Sequence, residues 1–329
     1  MGSAMVCVAD DSKNHDSHGV AKGSNTRVVV LFPGALGDLV LAMPALAAVR
    51  TRHASAHLTL AVSGGLRALA ATSGIADATA SLDDADAAGL FGGTRLPAWL
   101  GDRPRLYSWI GSRDRAVEER LRSLTEWAEL FSVVRDDGDE HAATAYARQV
   151  GSHEVAPSFR WPAPASSLRV EELLGTRERP VLAVHAGAGS PTKRWAVEGF
   201  AELARRWRDG GGDVVEIVGP ADHDLPPIGG RRRVVEWPLC DVAALLAQVD
   251  AYAGNDSGIS HLAGALGTCG IAVFGATRAR RWAPCNDTIA ALQAGGPASI
   301  GITARALTPA RAWEALRQRG CLDKLRSRE

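Results

Sequence analysis

The chain has little that would tie it to a charged polymer, a membrane or a metal. Its 37 basic residues balance its 37 acidic ones, so no overall field draws it to nucleic acid or an anionic surface, and a charged ligand must be met by a local cluster. No apolar run approaches the ~20 residues that span a bilayer, and the N-terminus has no basic segment leading into an apolar core. Five cysteines (Cys7, Cys240, Cys269, Cys285 and Cys321) lie far apart without a CxxC pair. That spacing argues against a zinc ribbon or a disulfide framework and points to plain thiols in a reducing, cytoplasmic compartment. Metal ligands are equally sparse: HDSH at His15 to His18 has no second cluster to accompany it.

What is present is alternation. Residues 1–24 are polar and without periodicity, the composition of a disordered leader. From Arg27 the run VVVLF reads as a strand buried on both faces, LVLAMPALAAVRTRH as a helix and HLTLAVSGG as a second strand, which is the β-α-β unit of a parallel sheet. RLYSWIGSRD then reads as strand and loop, AVEERLRSLTEWA as a helix, Phe131 to Val134 as a short strand and HAATAYARQV as a helix. The proline-rich stretch APSFRWPAPASS is the best linker, giving an N-terminal domain over 25–160 and a C-terminal one over 161–329. After it the alternation restarts at PVLAVHAG. Two α/β domains facing across a cleft are the economical architecture.

Three glycine-rich turns carry the candidate chemistry. In LFPGALGDLVL a strand runs through Gly34 and Gly37 into a helix whose start holds Asp38. The turn is neither GxGxxG nor a P-loop, and its aspartate can be read as a helix cap or as a reactive carboxylate. In HAGAGSPTKRW, which contains His185, Gly187 and Ser190, the adjacent cations Lys193 and Arg194 stand at a helix start, where the dipole disfavours them. They read as partners for a phosphate or as a solvated pair. In GNDSGISHLAGALG, Asn255 and Asp256 end a strand, Ser257 is a natural cap and Gly258 bares the first turn. That arrangement offers backbone amides to a diphosphate and Asp256 to sugar hydroxyls. His185 and His261 read as ligand contacts or as core histidines. A serine-hydrolase reading fails, because GNDSG is not GxSxG and His261 shares its helix with Ser257.

Together, in this order, PGALGDLVLAMPAL, HAGAGSPTKRW, and D-x-Y-x-GNDSGISHLAGALG with the following VFGAT and WAPCN resemble glycosyltransferase family 9, which contains the bacterial lipopolysaccharide heptosyltransferases. The resemblance implies two Rossmann-like domains in the GT-B arrangement, with the acceptor on the first and the nucleotide sugar, an ADP-heptose, on the second. It implies inverting transfer without a metal or cofactor, with Asp38 as general base, Lys193 on the donor phosphate and Asp256 on the sugar. An acceptor such as a lipopolysaccharide core would add a peripheral contact with the inner membrane. The first half, however, carries only scattered cations, so Trp109 and Arg113, with Asp114 and Arg115, are candidates for a different acceptor site, or else a solvated loop. Transfer to a specialised metabolite, a nucleotide-sugar epimerase or hydrolase, and a non-catalytic nucleotide-binding protein are the competing readings.

Overall fold

The computed structural model describes residues 26–154, 156–176, 178–230, 232–294 and 306–326. The leader and its HDSH cluster lie outside them.

The chain opens with β1 (Arg27–Phe32), α1 (Leu36–Arg52), β2 (His57–Val62), α2 (Gly64–Ala71) and β3 (Ala78–Ser81). It continues with β4 (Arg105–Ser108), α3 (Arg115–Ser123), β5 (Trp127–Leu130) and α4 (Ala142–Gln149). The five strands form one parallel sheet in the order β3-β2-β1-β4-β5. β1 is buried from Val28 onward, as a central parallel strand with helices on both faces must be.

The second unit begins with α5 (Leu168–Leu174), β6 (Val181–His185), α6 (Val197–Asp209), β7 (Asp213–Val218), β8 (Arg232–Val235) and α7 (Leu239–Leu246). It ends with β9 (Ala251–Asn255), α8 (Gly258–Leu266), β10 (Gly270–Phe274), α9 (Ala279–Trp282), β11 (Ile289–Gln293), α10 (Pro309–Gln318) and α11 (Asp323–Arg326). Its six strands are parallel in the order β11-β10-β9-β6-β7-β8. Both sheets are therefore doubly wound, with strand order reversing between β1 and β4 in one and between β6 and β9 in the other. Crevices for ligands open at those points, beyond the C-terminal strand ends. All three glycine-rich turns leave strands at one of them.

The start of α8 lies directly on the start of α1. A Cβ on Gly258 would stand 2.8 Å from the Leu36 Cβ and 3.0 Å from the Gly37 backbone nitrogen, so only glycine permits the approach. The stretch expected to be a linker is docked: Trp161 is buried, its indole N–H donates to the Thr72 hydroxyl at 2.9 Å, and its amide donates to the Ala265 carbonyl at 2.9 Å.

Two expectations need correction. The strand placed at Phe131 to Val134 is instead Trp127–Leu130, because α3 stops at Ser123. The Thr125 hydroxyl bonds the Leu121 carbonyl at 3.0 Å there, which turns the chain early and brings Trp127 opposite Arg105 in β4. The cysteines are not all free thiols either. Cys269, just before β10, is disulfide-bonded to Cys321, just after α10, while Cys240 and Cys285 are unpaired.

Candidate active site

The first carboxylate of the cleft is Asp38, at the third position of α1. Ala35 caps that helix without a side-chain bond, and the Asp38 carboxylate reaches back to accept the Ala35 N–H. It therefore serves as half of a capping box while still facing the cleft. Burial raises its pKa above the ordinary value of 3.8, against the pull of that N–H, the Lys193 charge and a hydrogen bond donated by the Tyr146 hydroxyl, while Asp256 pushes the same way as burial. Tyr146 comes from α4, and its oxygen also accepts the Val134 N–H at 3.3 Å. Gly34 makes the turn possible, since a Cβ there would stand 2.7 Å from the Cβ of Asp38.

The second unit faces Asp38 with an ion pair. Lys193 Nζ lies 2.8 Å from Asp256 Oδ2, and the Thr277 hydroxyl donates to the same carboxylate oxygen. Ser257 caps α8 by accepting the Ser260 N–H at 3.4 Å. His261, one turn further, is 4 % exposed, and burial holds its pKa down to about 4, so the ring is neutral at ordinary pH. Its Nδ1 has no hydrogen-bond partner in the structure. Asp38, Lys193, Asp256, His261, Thr277 and Trp282 line one cavity of about 360 Å³ between the two units.

A second cavity of about 510 Å³ adjoins it over the ends of β6, β7 and β8, walled by His185, Gly189, Asp222, Glu236, Trp237 and Ser257 among others. Buried His185 has its pKa lowered by burial, and its Nδ1 donates to the Ile217 carbonyl at 3.1 Å. At Gly187 a Cβ would stand 2.0 Å from the Asp222 carboxylate, so glycine is needed for close packing there.

Several candidates stand elsewhere than expected. Arg194 turns from the cleft to pair with Asp224 at 2.7 Å and Asp222 at 3.4 Å, and it donates to the Ala221 carbonyl at 2.8 Å. Asn255 is wholly buried as a brace, accepting the Trp195 N–H at 2.9 Å and donating to the Ala186 carbonyl at 2.8 Å. Ser190 caps the short 3-10 turn Pro191–Lys193. Gly37 and Gly258 meet each other, so packing between α1 and α8 accounts for both. Trp109 is a core residue, packed on Phe32, Phe131 and Tyr146 with its N–H on Gln149 at 2.7 Å, although its ring also reaches a cavity of about 670 Å³ that Arg113 lines. Asp114 caps α3 through the N–H groups of Ala116 and Val117.

Sequence reasoning missed Tyr146, Thr277 and Trp282. The last two lie inside segments already singled out, Thr277 at the end of VFGAT and Trp282 at the start of WAPCN. Tyr146 carries no local signal.

Comparison with known proteins gives a consistent picture. Residues 107–301 match the family model "Glycosyltransferase family 9 (heptosyltransferase)". Lipopolysaccharide heptosyltransferase 2 of Salmonella typhimurium is 28 % identical over 199 residues, covering 55 % of this chain and 56 % of that protein. The chain thus spans about half the length of this curated relative. A shorter likeness, 31 % identity over 128 residues, links 39 % of this chain to 67 % of ribosomal RNA large subunit methyltransferase H of Anaeromyxobacter sp.. It covers too little to account for two facing sheets. The crystal structure of a family 9 glycosyltransferase from Veillonella parvula superimposes with a TM-score of 0.71 at 17 % identity, over 91 % of this chain and 98 % of that one. E. coli heptosyltransferase WaaC, solved with ADP, gives 0.63 at 15 % identity over 89 % and 100 %. These two establish the same two-domain fold.

Proposed function

The chain belongs to glycosyltransferase family 9, the heptosyltransferase family, and on that premise we propose that it transfers a heptose from an ADP-linked donor to an acceptor hydroxyl, with inversion and without a metal. The observation that carries this reading is the meeting of Asp38 from the first unit with Lys193, Asp256 and His261 from the second around one cavity. Inverting transfer needs one carboxylate on the acceptor side and fixed positive charge on the leaving diphosphate.

In this reading the nucleotide occupies the larger cavity over β6 to β8, and the sugar extends into the smaller one. Asp38 takes the acceptor proton as the acceptor oxygen attacks the anomeric carbon. Burial, which raises its pKa, makes it a stronger base than a free aspartate. The bond from sugar to phosphate breaks on the opposite face, where the Lys193 ammonium and the positive end of the α8 dipole, at Ser257 and Gly258 on the cavity wall, stabilise the departing ADP. Neutral His261 lines the same cavity and adds no charge beside the sugar. Support for ADP comes from the relative solved with it.

The test is a donor panel. ADP-heptose, against UDP- and GDP-linked sugars, should bind in calorimetry and release ADP when an acceptor is present, unchanged by a chelator. Turnover at parental rates in Asp38→Ala would refute the base assignment, and product formed without any acceptor would favour a hydrolase or epimerase.

A further inference from the structure

The cavity of about 670 Å³ is lined only by residues of the first unit. It opens where the strand order reverses between β1 and β4, the place where a doubly wound sheet takes a ligand. Pro33, Phe91, Trp109, Ile110 and Val133 give it mostly carbon walls. Phe91, at the end of a 3-10 turn (Ala85–Phe91), is 38 % exposed on its lip, an apolar ring left for something to cover. Arg113 and Arg135 line the same cavity, both exposed, and among the described residues no carboxylate lies within 4.0 Å of either. The wall is continuous with the catalytic cavity: Pro33 leads through Gly34 to Ala35, Arg135 leads to Asp136, and both Ala35 and Asp136 line the space around Asp38.

Resting on the glycosyl-transfer reading, we propose that this cavity seats the acceptor and that the acceptor is amphipathic: a flat apolar ring system with one anionic group for Arg113 and Arg135 and a hydroxyl delivered to Asp38. A hydroxyl-rich, multiply charged sugar would lose its hydration against walls that return few hydrogen bonds, whereas an apolar ring gains by burial. Two rim guanidiniums without ion pairs among the described residues, Arg113 held only by the Ser132 hydroxyl at 3.4 Å, match a single carboxylate or phosphate. In the transfer, the acceptor O–H bond breaks with its proton passing to Asp38, the oxygen bonds the anomeric carbon, and the sugar–phosphate bond breaks to release the nucleoside diphosphate.

Calorimetry on the full chain with 6-hydroxy-2-naphthoate, 2-naphthol and the sugar acid 3-deoxy-oct-2-ulosonate tests this. The naphthoate should bind tightest of the three. Phe91→Ala and the double variant Arg113→Ala/Arg135→Ala should each weaken it about tenfold, with melting temperature and ADP affinity unchanged. Equal naphthoate affinity in parent and variants, or tighter binding of the sugar acid that depends on the arginines, overturns the proposal. The ADP titration separates the two readings. A parent chain that fails to bind ADP removes the transferase premise, whereas intact ADP binding with no variant-sensitive naphthoate binding removes only the amphipathic acceptor.

Discussion

Lys193 reaches the cleft already neutralised, its ammonium 2.8 Å from the buried carboxylate of Asp256. An incoming diphosphate must share that ammonium with Asp256, so the pair sets the strength of donor binding. Lys193→Ala should weaken ADP binding by about 1.5–3 kcal/mol, the range for a charge-assisted hydrogen bond. Asp256→Asn should leave ADP affinity equal or tighter, since it frees the ammonium, while lowering kcat if Asp256 holds the sugar. Calorimetry and turnover on the two variants check both halves, and unchanged ADP affinity in Lys193→Ala would end the phosphate assignment.

Asp38 predicts opposite effects on activity and stability. Its folded pKa is raised, chiefly by burial, so the native state keeps this proton where the unfolded chain has lost it. The group's contribution to stability is therefore full below the unfolded value and is lost as pH rises through the folded value, leaving charged Asp38 a net cost at neutral pH. Asp38→Asn should melt at the same temperature or higher at pH 7.5 while losing about 10²–10⁴-fold in kcat, the range for a general base. In the parent, kcat/KM should fall on the acid side with a midpoint above 3.8. Melting curves and a pH–rate profile read both, and a marked drop in the variant's melting temperature would return Asp38 to a purely structural cap.

Tyr146→Phe separates the base from the residue that orients it. The ring packs on Phe32 and Trp109, so the variant keeps its packing and loses only the hydroxyl. That hydroxyl lowers the pKa of Asp38, so its removal should move the acid limb of the pH–rate profile to higher pH. Stability should drop by about 1 kcal/mol, because the Val134 N–H loses its acceptor. An acid limb that stays in place would show that Tyr146 does not act on Asp38.

These residues show what could be read in advance and what could not. The strand-to-helix turns were legible because glycines, caps and apolar runs are local signals, and Asp38 and Asp256 come from two of those turns. Lys193 had one more signal: it is the only lysine between residues 23 and 323 in a chain that otherwise uses arginine. The sequence could not say which of Lys193 and Arg194 faces the cleft, since that depends on Asp222 and Asp224 some thirty residues away. Tyr146 was invisible because only the packing of α4 on α1 brings it to Asp38. Gly258 was read only as space for a ligand, whereas it also lets the start of α1 pack against α8. Cys269 and Cys321 have no sequence pattern because their pairing depends on where α10 docks.

Across the cleft the two units are held by arginines of Arg278–Trp282 gripping the loop 135–141. Arg281, 3 % exposed, donates to the Arg135 carbonyl at 2.9 Å and the Glu140 carbonyl at 2.6 Å. Arg278 donates to the Asp136 and Gly138 carbonyls at 2.8 Å each, and Arg280 pairs with exposed Asp139. Burial should rank these contacts. Arg281→Ala removes a buried guanidinium with two charge-assisted hydrogen bonds and should cost about 3 kcal/mol, whereas Arg280→Ala removes only a surface pair and should cost less than about 1 kcal/mol. Urea unfolding gives both values, and equal costs would show that the clamp does not depend on Arg281.

The Cys269–Cys321 bond closes a loop with a sequence separation of 52, so reduction returns to the unfolded chain the freedom that the loop removed. For loops of this length the chain-entropy account gives about 4 kcal/mol, with about 2–4 kcal/mol typical of measured bonds. α10, which lies against α6 and the β10–β11 edge, is the element the bond anchors. Under a thiol reductant, or in Cys321→Ala, the melting temperature should fall, and hydrogen exchange should rise first in α10 while α8 and the catalytic cleft stay protected. ADP affinity measured under reductant should match that of the oxidised chain. A reductant-insensitive melting temperature would show that the bond does not stabilise the fold, and a parallel loss of ADP binding would show that α10 docking reaches the donor site.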